Sequence, residues 1–286
     1  ELEKAVHIAT SGRPGPVWLD IPLDVQGALI DEQSIQGGDI NNNCLTADDN
    51  IILSIVEELQ KSKRPVLIAG HGIRIAKAKE QFLELVDSLN IPVVTTFNGF
   101  DLIASDSDNF IGRIGTLGSR AGNFALQNAD IVICLGTRNN IRQISYNWVS
   151  FARNAKKVIV DIDEAELRKK TVKGDILIHT DAKDFIVKLL KHVPKGFSCD
   201  EEWIKWCLIR KKKYPVVLDE YKRPNEHSVH PYFFIEKLMS LLDDNALVVA
   251  ANGTACVGLF QAGIVKPGQR IFWNSGCAAM GYALPA

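Results

Sequence analysis

Arg64-Pro65-Val66-Leu67-Ile68-Ala69-Gly70-His71-Gly72 carries five consecutive uncharged, mostly aliphatic residues that end in a glycine turn. An apolar run this short, stopped by glycine, predicts a strand buried on both faces. The next segment has a different period. Ile75, Ala78, Phe82, Leu85, Val86 and Leu89 recur at helical spacing, which predicts a helix over 75–89. The alternation then repeats in both directions. A helix is expected over 47–61, strands at Pro92–Thr96, Asp130–Leu135, Lys157–Asp161 and Asp175–His179, and helices from Gly118-Ser119 to Asn128 and over 181–191. Short apolar strands separated by amphipathic helices give βαβ units. The fold class is therefore α/β, with a doubly wound parallel sheet over 47–192.

Outside this block the pattern is incomplete on both sides. Residues 1–10 read as a short amphipathic helix, and Val17-Trp18-Leu19-Asp20-Ile21-Pro22 as a buried strand closed by proline. One helix and one strand make no core, so residues 1–30 are expected to be the end of a domain and the polar stretch 31–46 a linker. Residues 193–229 form a second linker around a helix at 200–213. Lys211-Lys212-Lys213 at its C-terminal end suits the helix dipole and reads as a solvated end. From 230 to 286 a further α/β domain begins. A helix is expected at 231–242, a strand at Ala246–Ala250, the turn Asn252-Gly253-Thr254, helical sequence, and a strand near Arg270–Trp273.

Composition narrows the function. Lys+Arg is 33 and Asp+Glu 34, a net charge of −1, which lacks the basic excess of a nucleic-acid binder. The longest apolar run, Ala246–Ala251, is far below the ~20 residues that span a bilayer, so no membrane segment is expected. The six cysteines are at 44, 134, 199, 207, 256 and 277, without a CxxC pair. That spacing disfavours a zinc site, and reduced thiols fit the cytoplasm. The N-terminal Glu1-Leu2-Glu3-Lys4 has no signal-peptide character, and the absence of an initial Met suggests a start within a longer chain.

The candidate chemistry lies where strands end, because open α/β sheets bind ligands beyond their carboxyl edge. Gly70-His71-Gly72-Ile73-Arg74 has two glycines of a dinucleotide fingerprint and lacks the third. Gly112, Gly115 and Gly118 are expected to let a ligand approach the backbone closely. Gly136-Thr137-Arg138 and Asp161 follow later strands, and a strand-terminal Asp suits a ribose. Together these loops suggest a nucleotide-shaped groove. His71 and His179 are candidate bases, but a satisfied loop histidine is the simpler reading. No Walker A, GxSxG or HExxH pattern is present.

Three stretches carry a family resemblance. Ser11-Gly12-Arg13-Pro14-Gly15-Pro16-Val17-Trp18-Leu19-Asp20-Ile21-Pro22 resembles the end of the pyrimidine-binding domain of thiamine-diphosphate enzymes, above all the acetolactate (acetohydroxyacid) synthase group. Residues 47–192 resemble that family's central domain. Ser275-Gly276-Cys277-Ala278-Ala279-Met280-Gly281-Tyr282-Ala283-Leu284-Pro285-Ala286 resembles the early part of its pyrophosphate-binding domain.

The resemblance implies decarboxylation of a 2-keto acid with carboligation, thiamine diphosphate as cofactor, and Mg2+ with ligands outside this chain. It implies that Asn252, Gly253, Thr254 and Ala255 approach the diphosphate, that Gly276 belongs to the thiamine diphosphate site, and that the backbone near Ala278 contacts the aminopyrimidine. Met280 would be the bulky residue that enforces the bent cofactor. In flavin-binding members, Arg13, Gly115, Gly118, Arg138 and Asp161 match FAD positions. Asn139-Asn140-Ile141-Arg142 here replaces an acidic run, which leaves the occupant of that groove open. The family's catalytic glutamate and its metal motif fall outside residues 1–286, so this stretch alone is expected to be inactive. A homodimer or homotetramer is implied, acting on small keto acids. Another keto acid or acyl-CoA lyase, and a non-catalytic nucleotide-binding module, are the alternative readings.

Overall fold

The computed structural model describes residues 1–38, 45–223 and 227–286. Part of the expected linker, residues 39–44, lies outside the described residues. The chain divides into two compact units, Glu1–Leu45 and Thr46–Ala286.

The first unit contains helices α1 (Leu2–Thr10) and α2 (Leu23–Gln26), with one 3-10 turn at Glu32–Ser34. The expected strand at Val17–Pro22 does not form. The segment joins no strand ladder among the described residues, and Trp18 is 90% exposed. A strand needs a neighbouring ladder for its N–H and C=O groups, and none of the unit's described residues provides one.

The second unit is built on six parallel strands. They are β1 (Pro65–Ala69), β2 (Val93–Thr95), β3 (Phe110–Arg113), β4 (Ile131–Leu135), β5 (Lys156–Asp161) and β6 (Ile176–His179), in the order β3-β2-β1-β4-β5-β6. Every residue of β1 and β4 is buried. Since successive side chains point to opposite faces, both faces of the sheet are covered. The cover comes from α3 (Asp49–Lys61), α4 (Gly72–Ile75), α5 (Lys79–Leu89), α6 (Arg120–Asn128), α7 (Ile141–Ile144), α8 (Glu164–Leu167), α9 (Ala182–His192) and α10 (Glu201–Lys213). Asp48, Asp163, Asp181 and Asp200 each accept a first-turn N–H and fix where α3, α8, α9 and α10 begin. Phe82, Leu85, Phe185 and Leu189 have no exposed surface, and each fully buried side chain of this size contributes roughly 1.5–3 kcal/mol.

Three details differ from the sequence reading. The helix expected over 75–89 is two helices, because Lys77 takes a positive φ of 53° and breaks it. Gly112, read as the first glycine of a ligand-approach run, lies inside a strand that the sequence reading did not place, β3 (Phe110–Arg113), with a register shift opposite Val93/Val94. The Lys211–Lys213 end of α10 is not uniformly solvated. Lys211 reaches back across the sheet edge and donates to the carbonyls of Ser105 (3.0 Å) and Phe110 (2.6 Å). Elsewhere on α10, Trp203 is buried and donates to the Pro65 carbonyl at 3.0 Å.

The chain then continues through α11 (Pro231–Leu241), β7 (Leu247–Ala250), α12 (Thr254–Ala262) and β8 (Arg270–Trp273), with β7 and β8 parallel. Their small core, with Met239, Phe260, Ile271 and Trp273, also takes in Phe97 and Phe100 from the β2–β3 connection. Four cysteines, 134, 199, 207 and 256, are buried and free. Burial pushes the Cys134 thiol up to about 12, so it stays protonated and behaves as a small apolar residue. Among the described residues, no helix is long and apolar enough to cross a membrane.

Candidate functional site

Strand order reverses between β1 and β4, so the loops after these strands flank the position where such sheets form a crevice. Here the loops after β1 and β4 pack against each other. Gly72 N donates to Gly136 O at 2.9 Å. A Cβ on Gly70 would fall inside the Gly136 carbonyl, and one on Gly72 would stand 2.7 Å from Gly136 Cα. The glycines let two backbones meet. The run Gly112–Gly118 is packed in the same way. A Cβ on Gly112 would strike Ser119 Oγ, one on Gly115 would come within 3.1 Å of Arg142 O, and one on Gly118 within 2.5 Å of Arg113 O. Asn123 holds this turn by donating to Gly115 O and accepting from Gly115 N, both at 3.0 Å.

The other groups at this edge are also engaged. Asp161 is buried at the end of β5 and accepts from Asp163 N at 3.0 Å. Arg138 is half-exposed and faces Glu166 at 3.5 Å, which Lys169 also contacts at 3.1 Å. His71 Nδ1 donates to the Asn98 carbonyl at 2.8 Å and His179 Nε2 to that of Ile162 at 2.9 Å. Burial pushes the His71 imidazole below its usual pKa, against the Asn98 carbonyl, which favours the protonated ring. Neither histidine is held by a carboxylate in these bonds. Arg13 lies in the first unit, in the exposed bend after α1.

A different arrangement occurs at the start of α12. Gly253 turns the chain with φ +67° into the helix, and no atom stands within 4 Å of where its Cβ would be. Thr254 and Ala255 are exposed, and no side chain caps the first turn. The first N–H groups of a helix lack internal partners and carry the positive end of its dipole. Asn252 joins this turn to a second one, donating through Nδ2 to the Ala278 carbonyl. Ala278 itself has φ +53°, Gly276 is exposed, and Met280 is 90% exposed. Asn252 thus ties the Gly253–Ala255 turn to Ala278, and Gly276 and Met280 are exposed on the segment that carries Ala278. Arg138, Asp161, Gly115 and Gly118 belong instead to the edge of the six-stranded sheet.

The sequence reading missed the groups that hold this surface. Arg142 donates to Ser275 O at 3.0 Å. The Asn98 side-chain oxygen accepts from Trp273 Nε1 at 3.1 Å and Ser275 Oγ at 3.3 Å. Asp101 is 1% exposed and binds three partners, Arg74 at 3.0 Å, Arg270 at 2.8 Å and Ile271 N at 2.9 Å. Arg113 spans Gln261 O (3.3 Å) and Gly263 O (2.7 Å). His71, Asn98, Arg270, Trp273 and Tyr282 line a cleft of 220 Å³ beside them. Among the described residues, no three His, Cys, Asp or Glu side chains converge to hold a metal ion.

Residues 52–189 match the family model for the thiamine pyrophosphate enzyme central domain. The chain is 32% identical over 289 residues to the acetolactate synthase large subunit of Lactococcus lactis subsp. lactis (strain IL1403), covering 100% of this chain and 49% of that protein. It is 30% identical over 285 residues to the acetolactate synthase isozyme 1 large subunit of Escherichia coli K12, with 100% and 49% covered. With an acetolactate synthase of Mycobacterium leprae the identity is 33% over 297 residues, covering 100% and 46%. The chain therefore spans about half the length of the curated relatives it matches. The six-stranded parallel sheet lies inside the matched segment, and the likeness to acetolactate synthases runs beyond it in both directions: residues 52–189 match the central domain of thiamine pyrophosphate enzymes, and the chain along its whole length is similar to about half of an acetolactate synthase large subunit.

Proposed function

We propose that the whole protein is a thiamine-diphosphate-dependent enzyme of the acetolactate synthase type, which decarboxylates a 2-keto acid and joins the resulting carbanion equivalent to a second carbonyl. The observation that carries this reading is the open, uncapped start of α12 at Gly253, tied by Asn252 to the turn at Ala278. A diphosphate fits it. Exposed N–H groups at a helix start bind phosphate oxygens, and a glycine without neighbours leaves room for them. When bound, thiamine diphosphate supplies the electron sink that decarboxylation requires.

The chain's own residues would bind and orient. Thr254 and Ala255 present first-turn N–H groups, Asn252 sets the distance between the two turns, and Met280 offers an apolar support. Magnesium would be held by groups elsewhere in the protein. Flavin fits less well, because Gly115 and Gly118 face the chain itself and Arg138 faces Glu166. The exposed Trp18, Leu23 and Leu29 support a homo-oligomer, a dimer or tetramer. The buried free thiols support a reducing compartment, the cytoplasm. The test is pyruvate consumption by the whole protein with Mg2+, with and without thiamine diphosphate. Cofactor-dependent consumption with acetolactate as product is expected. Cofactor-dependent turnover of a different keto acid or an acyl-CoA, but not pyruvate, overturns the acetolactate assignment, and the absence of any cofactor-dependent turnover overturns the class.

A further inference from the structure

α12 is anchored at the end opposite to Gly253, and the anchor comes from the six-stranded sheet. Arg113, the last residue of β3, is buried and sends its guanidinium to the carbonyls of Gln261 and Gly263, at 3.3 and 2.7 Å. These carbonyls lie at the C-terminal end of α12, where the last C=O groups have no helical partner and where a cation suits the dipole. The guanidinium also lies 4.2 Å over the ring of Phe100. Phe100 packs edge-on against Trp273 of β8 at 5.1 Å and lies 6.2 Å from Phe260 of α12. Burial works against the charge and pushes its pKa down. The two carbonyl oxygens and the aromatic face stand in its favour.

We propose that Arg113 is a positioning residue for cofactor binding: it locks α12 from behind, so that the helix N-terminus is already in place when the diphosphate arrives. This rests on the reading of α12 as the diphosphate-binding helix. The physical reason is the fork geometry of arginine. Two carbonyls gripped by one rigid plane fix both the position and the rotation of the helix end. A lysine in its place would bring one point charge with no fixed plane. A helix of nine residues is about 14 Å long, so a tilt at its C-terminal end moves the N–H groups at the other. Arg113 holds the end of α12 opposite to Gly253, and it stands far from Gly253 in sequence.

The experiment titrates thiamine diphosphate, with Mg2+ in excess, into the whole protein by isothermal titration calorimetry, for wild type, Arg113→Met and Arg113→Lys. Hydrogen exchange over 254–263 is followed in the same samples without cofactor. A hydrogen bond to a charged group is worth enough to predict a Kd raised about tenfold or more in Arg113→Met, with Arg113→Lys between. Exchange at the end of α12 should be faster in both. A purely structural role would lower the number of competent sites while the Kd of those remaining stayed unchanged, and that result overturns the proposal. If Arg113→Met does not fold, Arg113→Lys decides, and a Kd within twofold of wild type refutes it. A wild type that binds while both variants bind equally well sinks the role of Arg113 and leaves the proposed function standing. A wild type that does not bind thiamine diphosphate sinks both.

Discussion

Two glycine turns at the start of helices behave in opposite ways. Gly70 and Gly72, after β1, have the space beside them filled by the backbone of Gly136. At Gly253, before α12, the place of the missing Cβ has nothing within 4 Å beyond the adjoining residues. Both turns look alike in sequence, a strand, a glycine and then a helix. The first makes room for protein and the second leaves room for something else. A glycine is informative about a ligand only when the place of its missing side chain is empty. The same chain thus contains a sheet edge filled by packing and a helix start left open.

The comparison can be broken by mutation, and the largest effect belongs to the buried charge that joins the two regions. Asp101→Ala should cost about 3–5 kcal/mol in urea unfolding, since it leaves Arg74 and Arg270 without their buried partner. A loss below the range of surface substitutions would mean that the two regions are not coupled there. Gly70→Ala comes next, at about 3 kcal/mol, because its Cβ meets backbone that cannot move aside. Gly253→Ala should cost only about 1–2 kcal/mol, the strain of a positive φ, yet weaken thiamine diphosphate binding sharply. Equal stability losses for these two alanines would remove the distinction between the sealed turn and the open one.

The smaller effects sharpen it. Asn252→Ala loses one bond to Ala278 and should cost about 1 kcal/mol, with Mg2+-thiamine diphosphate affinity falling alongside. His71 sets the pH dependence of the sealed edge. Its folded pKa lies below the unfolded value, so the folded state disfavours the proton. The stability it contributes is present above about pH 6.5 and is lost as pH falls through the folded value. Unfolding midpoints between pH 8 and pH 5 should therefore drop more for wild type than for His71→Gln, and an identical slope would contradict the assignment.

Much of the sheet was legible because continuous apolar runs leave little choice. β1 and β8 fall where Val66-Leu67-Ile68 and Ile271-Phe272-Trp273 put them. β3 was not, since Gly112 and Arg113 interrupt a four-residue strand that depends on the β2 ladder. The break at Lys77 left no trace, because a lysine with positive φ is set by its surroundings. Val17–Pro22 shows the reverse failure, a strand-like sequence without a neighbour. The anchors of the candidate site were out of reach for a simpler reason. Arg113 acts across 148 and 150 positions, Asp101 across 170 and Asn98 across 175, and no local period encodes such pairs. The turn at Asn252 was legible from the local pattern, but its role and that of Ala278 were named only through family resemblance, and local spacing does not join them.

The most direct test of the open-turn account is hydrogen exchange of the whole protein with and without Mg2+ and thiamine diphosphate. Slowed exchange over 254–257, with the loops at 70–72, 115–118 and 136–138 unchanged, is the predicted result. Protection confined to those sheet-edge loops, with 254–257 unaffected, would contradict it.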